Sequence, residues 1–168
     1  MPRFLRKIRM SSWAKEGNLS WVPNDDLPAD PLADLATLGN TLSLWQIEDD
    51  NSNIDAVIVA LVATMDSVQS IDYIIFPAGL IAAAGIECRQ TLGKTPFEPA
   101  QKWHRDLVSV SALRLVALAK DLFASGEKAR IPRHEILRLL TGAVKSGHVD
   151  LDALKEGVRA DVARSLGT

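Results

Sequence analysis

The spacing of apolar residues changes along this chain, and the predicted elements follow from it. Residues 3–10 alternate loosely, with Phe4, Ile8 and Met10 on one side and Arg3, Lys7 and Arg9 on the other, which suits a short edge strand. Residues 41–48 alternate again: Leu42, Leu44 and Gln46 share one face, and Ser43, Trp45 and Ile47 the other. Ser52 stands where a helix cap belongs, with Asp55 completing a capping box, and Ile54, Val57, Ile58, Leu61 and Met65 then recur at helical spacing as one buried stripe. Residues 71–76 form a β-prone run that Pro77 stops, residues 78–84 favour a short helix closed by Gly85, and residues 86–92 read as a further strand. Strand and helix thus alternate over 41–92, as in a small sheet covered by helices.

From Pro99 onward the period is helical. A first helix runs to about residue 125 and places Leu107, Val108, Ala112, Leu115, Leu118, Ala119 and Leu122 on one broad face before Gly126. A second lies between Pro132 and Gly147, with Ile136, Leu139, Leu140, Ala143 and Val144 as its stripe, and Asp150 can cap a third that buries Leu154, Val158 and Val162. Residues 11–40 contrast with both halves. They are rich in Gly, Pro, Asn and Asp, which predicts a long surface segment with one helical turn near 32–38, pinned by Trp13 and Trp21. A loop of that length is a candidate binding region. The whole predicts one α+β domain over 1–168, a small sheet from the N-terminal half packed against a C-terminal cluster of three or more helices within 98–166.

Composition narrows the class. A chain of 168 residues and 18.3 kDa suits one hydrophobic core, and 47% apolar residues, 24% charged residues and a mean hydropathy of +0.05 exclude disorder over its whole length. The single Cys88 excludes an internal disulfide framework and a Cys-rich zinc site, and it fits a reducing compartment, so a cytoplasmic location is expected. The basic start is not followed by the apolar run of a secretory signal. Residues 54–65 and 71–86 fall short of the roughly 20 apolar residues that span a bilayer, so no membrane is expected.

Charge adds the most. A net charge of -2 hides a partition: five bases and no acid in residues 1–15, twelve acids and no base in 16–88, fourteen bases and nine acids in 89–168. Either the acidic and basic segments fold against each other, or an acidic surface is offered to a basic partner. Asp25, Asp26, Asp30 and Asp34 in the Pro-rich loop, with Glu48, Asp49 and Asp50 at a strand end, are the candidate partner-binding acids, and Trp45 is the aromatic among them.

Catalytic signals are sparse. The run 49–55 resembles a calcium loop but has Ile54 where glycine is required and Ala60 where a bidentate acid is required, so helix capping explains it. Trp103, His104, Arg105 and Asp106 hold an acid and base set in sequence, but neighbours on a helix diverge by about 100°. His104 would share its helix face with Leu107, Ser111, Leu115 and Leu122, as a core histidine bonded to a hydroxyl such as Ser111. His134 and His148 lack the spacing of a helical metal site, Cys88 has the cation Arg89 beside it but no positioned base, and Gly79, Gly85 and Gly93 fit no phosphate loop. No cofactor, metal or catalytic set is therefore expected.

The leading expectation is a non-catalytic interaction module, of antitoxin, immunity or accessory-subunit type, that engages a basic protein through its acidic segment. A nucleic-acid-binding regulator using the basic N-terminal arm with Arg130, Arg133, Arg138 and Lys145 is the alternative, and a small enzyme built on His104 the second.

Overall fold

The computed structural model of the chain describes residues 2–13 and 26–167. Six strands, β1 (Arg3–Ile8), β2 (Leu42–Ile47), β3 (Ile71–Pro77), β4 (Glu87–Gln90), β5 (His104–Val108) and β6 (Glu127–Ile131), form one sheet in the order β4-β5-β2-β1-β3-β6. Every neighbouring pair is antiparallel. The helices are α1 (Met10–Trp13), α2 (Asp30–Asp34), α3 (Ile54–Val62), α4 (Ala78–Ala83), α5 (Ala112–Ser125), α6 (Arg133–Lys145) and α7 (Glu156–Leu166), with 3-10 turns at Glu98–Trp103 and Leu151–Ala153. The chain is α+β.

Alternation along the central strands makes two cores. Leu5, Trp45, Ile47, Ile71 and Ile75 point to one face, where α3, α6 and α7 cover them. Phe4, Ile8, Leu42, Leu44, Ile74, Phe76 and Leu107 point to the other, beneath residues of α1, α4 and α5 and the end of α2. The C-terminal helices are therefore split between faces, because consecutive apolar residues such as Ile74, Ile75 and Phe76 require cover on both sides of the sheet.

Three local expectations change. β1 is central, not an edge: it pairs with β2 and β3 at once, and its charged residues are accommodated because Arg6 donates to the carbonyls of Ser43 (2.9 Å) and Asp34 (2.9 Å). The start of α3 is not a Ser52 capping box. Its cap position is Asn53, whose side chain instead accepts from the Glu48 N–H (2.9 Å) and donates to the Gln46 carbonyl (3.0 Å), tying the helix to the end of β2. The expected helix from Pro99 is a 3-10 turn, a strand and then a helix. β5 alternates with only Leu107 fully buried, Ser109 takes a positive φ of 54° that ends the strand, and Ser111 caps α5. Ser111 thus serves the α5 amides and is no partner of His104. β6 was hidden between Gly126 and Pro132 as a charged edge strand.

Candidate functional site

The acids of the base-free stretch sit in two groups. Asp34 ends α2 with a side chain only 9% exposed, and its carboxylate accepts from the Arg9 N–H (2.8 Å), Arg9 Nε (2.9 Å) and the Trp13 indole (2.9 Å). Its carbonyl accepts from Arg6 Nε (3.1 Å) and Nη2 (2.9 Å). Burial pushes the Arg6 guanidinium below its ordinary value while Asp34 opposes that shift. Asp34 is therefore a structural acid at the C-terminal end of β1. Glu48, Asp49 and Asp50 lie at the other end, where Arg3 donates to the Asp49 carbonyl (3.4 Å) and to Asn51 Oδ1. Glu48 Oε1 accepts from the Trp103 indole (2.9 Å), and Asp50 accepts from the Ser52 N–H (2.9 Å), a bond that holds its carboxyl below the ordinary range. At about 3.4 Å per residue, the six residues of β1 put these groups roughly 17 Å apart. They lie at opposite ends of β1.

Asp26 and Asp30 are the exposed acids of the α2 end; Asp25, like Trp21, lies outside the described residues. Trp45, expected among the surface acids, is not at the surface: it is 7% exposed and packed with the α3 and α6 core. The α2 end also exposes apolar side chains. Leu38 is 88% exposed and Leu113, in the first turn of α5, is 86% exposed, with Val116 one turn further on. Packing of α2 on α5 and a bond from the Val110 N–H to the Asn40 carbonyl (3.0 Å) bring these segments to the same end of the sheet. The sequence reading missed this patch because Leu113 and Val116 belong to a helix that is apolar nearly all round.

The basic residues of the C-terminal half are mostly spoken for. Arg130 pairs with Asp72 (2.5 Å), Arg133 with Asp161 (2.8 Å) and Arg138 with Glu135 (2.6 Å). Lys145, with His134 and Arg138, lines a shallow groove on α6.

His104 occupies a different setting from the one expected. On a strand, residues two apart share a face, so His104 and Asp106 point the same way, opposite Trp45 and Ser43 of β2. Asp106 accepts from Ser43 Oγ (2.8 Å) and from Thr91 Oγ1 (2.9 Å). Thr91 Oγ1 also lies 2.7 Å from His104 Nδ1. The Thr91 hydroxyl has one proton, committed to Asp106, so Nδ1 carries the proton in the second bond and Nε2 keeps its lone pair. The described residues give Nε2 no partner and no buried side-chain polar atom is left unbonded, so Nε2 opens to solvent. The ring is further held edge-on to Trp45, with centroids 5.1 Å apart. Gly93 closes over both, since a Cβ there would meet Trp45 Cη2 at 2.9 Å and His104 Cβ at 3.2 Å. Ser43 and Thr91 escaped the sequence reading, and Asp106 was set aside in it, because a helix would have separated Asp106 from His104.

Burial holds His104 below its ordinary value of 6.5; Asp106 opposes this and Arg105 adds to it. A depressed imidazole favours the folded state when neutral. That contribution is complete above pH 6.5 and declines as pH falls from there toward the folded midpoint. In an NMR titration the His104 ring should therefore show a midpoint below 6.5 and the Nδ1–H tautomer, and Asp106→Asn should lower the midpoint further; a midpoint at or above 6.5 contradicts the arrangement.

The remaining candidates are dispersed. His148 stacks edge-on against Phe97 and bonds Ser146 Oγ (2.9 Å), and His134 is exposed on α6. Desolvation raises the Cys88 thiol above its ordinary value, and Arg89 turns to Glu87 (2.6 Å). Among the described residues no helix is long and apolar enough to cross a membrane, and no group of three or more His, Cys, Asp or Glu residues is placed to hold a metal ion. No family model matches the sequence, and neither the search of curated proteins nor that of solved structures gives a match.

Proposed function

We propose that this chain is a protein-interaction module, of the antitoxin, immunity or accessory-subunit type, that engages a basic partner at the end where α2, the 38–41 turn and the start of α5 meet. The observation that carries this reading is the pair of nearly fully exposed leucines, Leu38 and Leu113, at the same end of the sheet as the exposed acids Asp26 and Asp30. An apolar centre with a charged rim is the composition of a protein interface, and Asp26 and Asp30 on that rim, beside the exposed Arg9 and Arg114, favour a basic or amphipathic partner. Glu48, Asp49 and Asp50 lie at the opposite end of β1. Capture of the partner from the native host tests the reading. Asp26→Lys with Asp30→Lys should abolish capture at low salt, Leu113→Glu should weaken it at any salt, and capture unchanged by both overturns it.

A second reading, a small enzyme using His104, is supported by the Asp106–Thr91–His104 relay, which orients an imidazole with its basic nitrogen outward. His104→Gln should then abolish an activity with the melting temperature preserved. A loss of melting temperature without loss of any activity would assign His104 to structure alone.

A further inference from the structure

We propose that β4 is the pairing edge of a two-fold dimer, in which the β4 strands of two copies run antiparallel and join their sheets. An antiparallel sheet that is not closed has two edges, and the two edges here differ. β6 carries Glu127, Lys128 and Arg130 in five residues, is followed by Pro132, and has Lys128 Nζ folded back on the Phe123 carbonyl (3.1 Å). The lysine and the proline are the devices that keep an edge from pairing and that β4, with Glu87 and Arg89 as its charges, lacks. In β4 all four residues are exposed, and neither proline nor lysine interrupts residues 86–92.

The parity of the open groups is set by the last bond of the β4–β5 ladder, from the Thr91 N–H to the His104 carbonyl (3.4 Å). Odd-numbered residues of β4 turn their backbone groups to β5, so Cys88 and Gln90 turn theirs outward. A two-fold pairing of these outward groups can centre on residue 88, 89 or 90. Centring on Arg89 sets that cation against its own copy, which is repulsive, and centring on Gln90 matches no charge. Centring on Cys88 places Glu87 of each copy opposite Arg89 of the other. Within one copy Glu87 and Arg89 already pair on one sheet face, at 2.6 and 3.2 Å. Joining two copies in this register makes four charges of alternating sign, each acid next to two cations. The pattern Glu-Cys-Arg is its own complement when reversed, and this favours a second copy over an unrelated strand as the occupant.

A contact through so short an edge is small beside the roughly 1,200 Å² of a standard stable interface, so the dimer should depend on concentration. Sedimentation velocity from about 5 to 300 μM is expected to show the average mass rising from 18.3 kDa toward twice that value. Arg89→Glu should hold the protein at monomer mass over the same range, and the charge swap Glu87→Arg with Arg89→Glu should restore association. Monomer mass at every concentration overturns the proposal. So does a dimer that persists undiminished in Arg89→Glu, or a swap that stays monomeric while its circular dichroism matches the parent.

Discussion

Replacing Asp34 by alanine is expected to lower the free energy of unfolding by about 2–4 kcal/mol, the largest effect of any acid among the described residues. Three donors lose their acceptor at once. The Arg9 guanidinium, 62% exposed, can return to water at little cost. The Trp13 indole N–H cannot, because Trp13 is 1% exposed and packs beside Phe123 in the α5 core. Each buried donor left unbonded costs about 1–3 kcal/mol, and the Arg9 amide adds to it. Urea unfolding followed by tryptophan fluorescence measures the loss. Asp34→Asn retains an acceptor and should lose less; a loss under about 1 kcal/mol in the alanine variant would mean that water reaches these donors.

Gly157→Ala should destabilise the protein by about 1–3 kcal/mol, where the same change in an open helix would stabilise it by up to about 1 kcal/mol. Gly157 is the second residue of α7 and lies against the backbone after α3. A Cβ would overlap the Asp66 carbonyl oxygen and come within 3.4 Å of its carbon. Backbone atoms cannot rotate aside, so α7 would have to lift Val158 and Val162 out of the core, where both are fully buried. Gly142→Ala, in the middle of α6 with open space where its Cβ would stand, is the matched control and should gain stability. Equal and small effects at both positions would contradict the close approach of α7.

Where helical or alternating pattern and burial agreed, the sequence was legible. The strands around Leu44 and Ile75 and the buried positions Val57, Ile58, Ile136, Leu140, Val158 and Val162 stand where the spacing placed them. Ile54 and Leu61 of the expected α3 stripe are only partly buried and Met65 lies beyond the helix, which buries Val59, Ala60 and Val62 instead. The segment 99–125 was not legible, for a local reason. The apolar run after Ala112 outweighs five preceding residues with one buried side chain, and the break between strand and helix falls at Ser109, a residue that does not announce a positive φ as glycine would. β6 was unreadable because an edge strand with charges toward solvent has the composition of a linker. β1 looked like an edge for the same reason, since its cations are satisfied by groups distant in sequence.

The site inherits those errors. With His104 on a helix, Asp106 points elsewhere; on β5 the two share a face and Thr91 joins them. The acids behave similarly. Their number was plain from the sequence, but the division into inward Asp34, turn-forming Asp50 and outward Asp26 and Asp30 depends on which partners the fold brings near.

That division is the central claim, and one thermal denaturation series tests it most directly. At low and high salt, the Asp26→Lys, Asp30→Lys double variant should melt within about 2 °C of the parent, while Asp34→Ala melts lower by roughly 5–15 °C. If the double variant falls as far as Asp34→Ala, the exposed acids are part of the fold's own charge balance and the partner-facing surface does not exist.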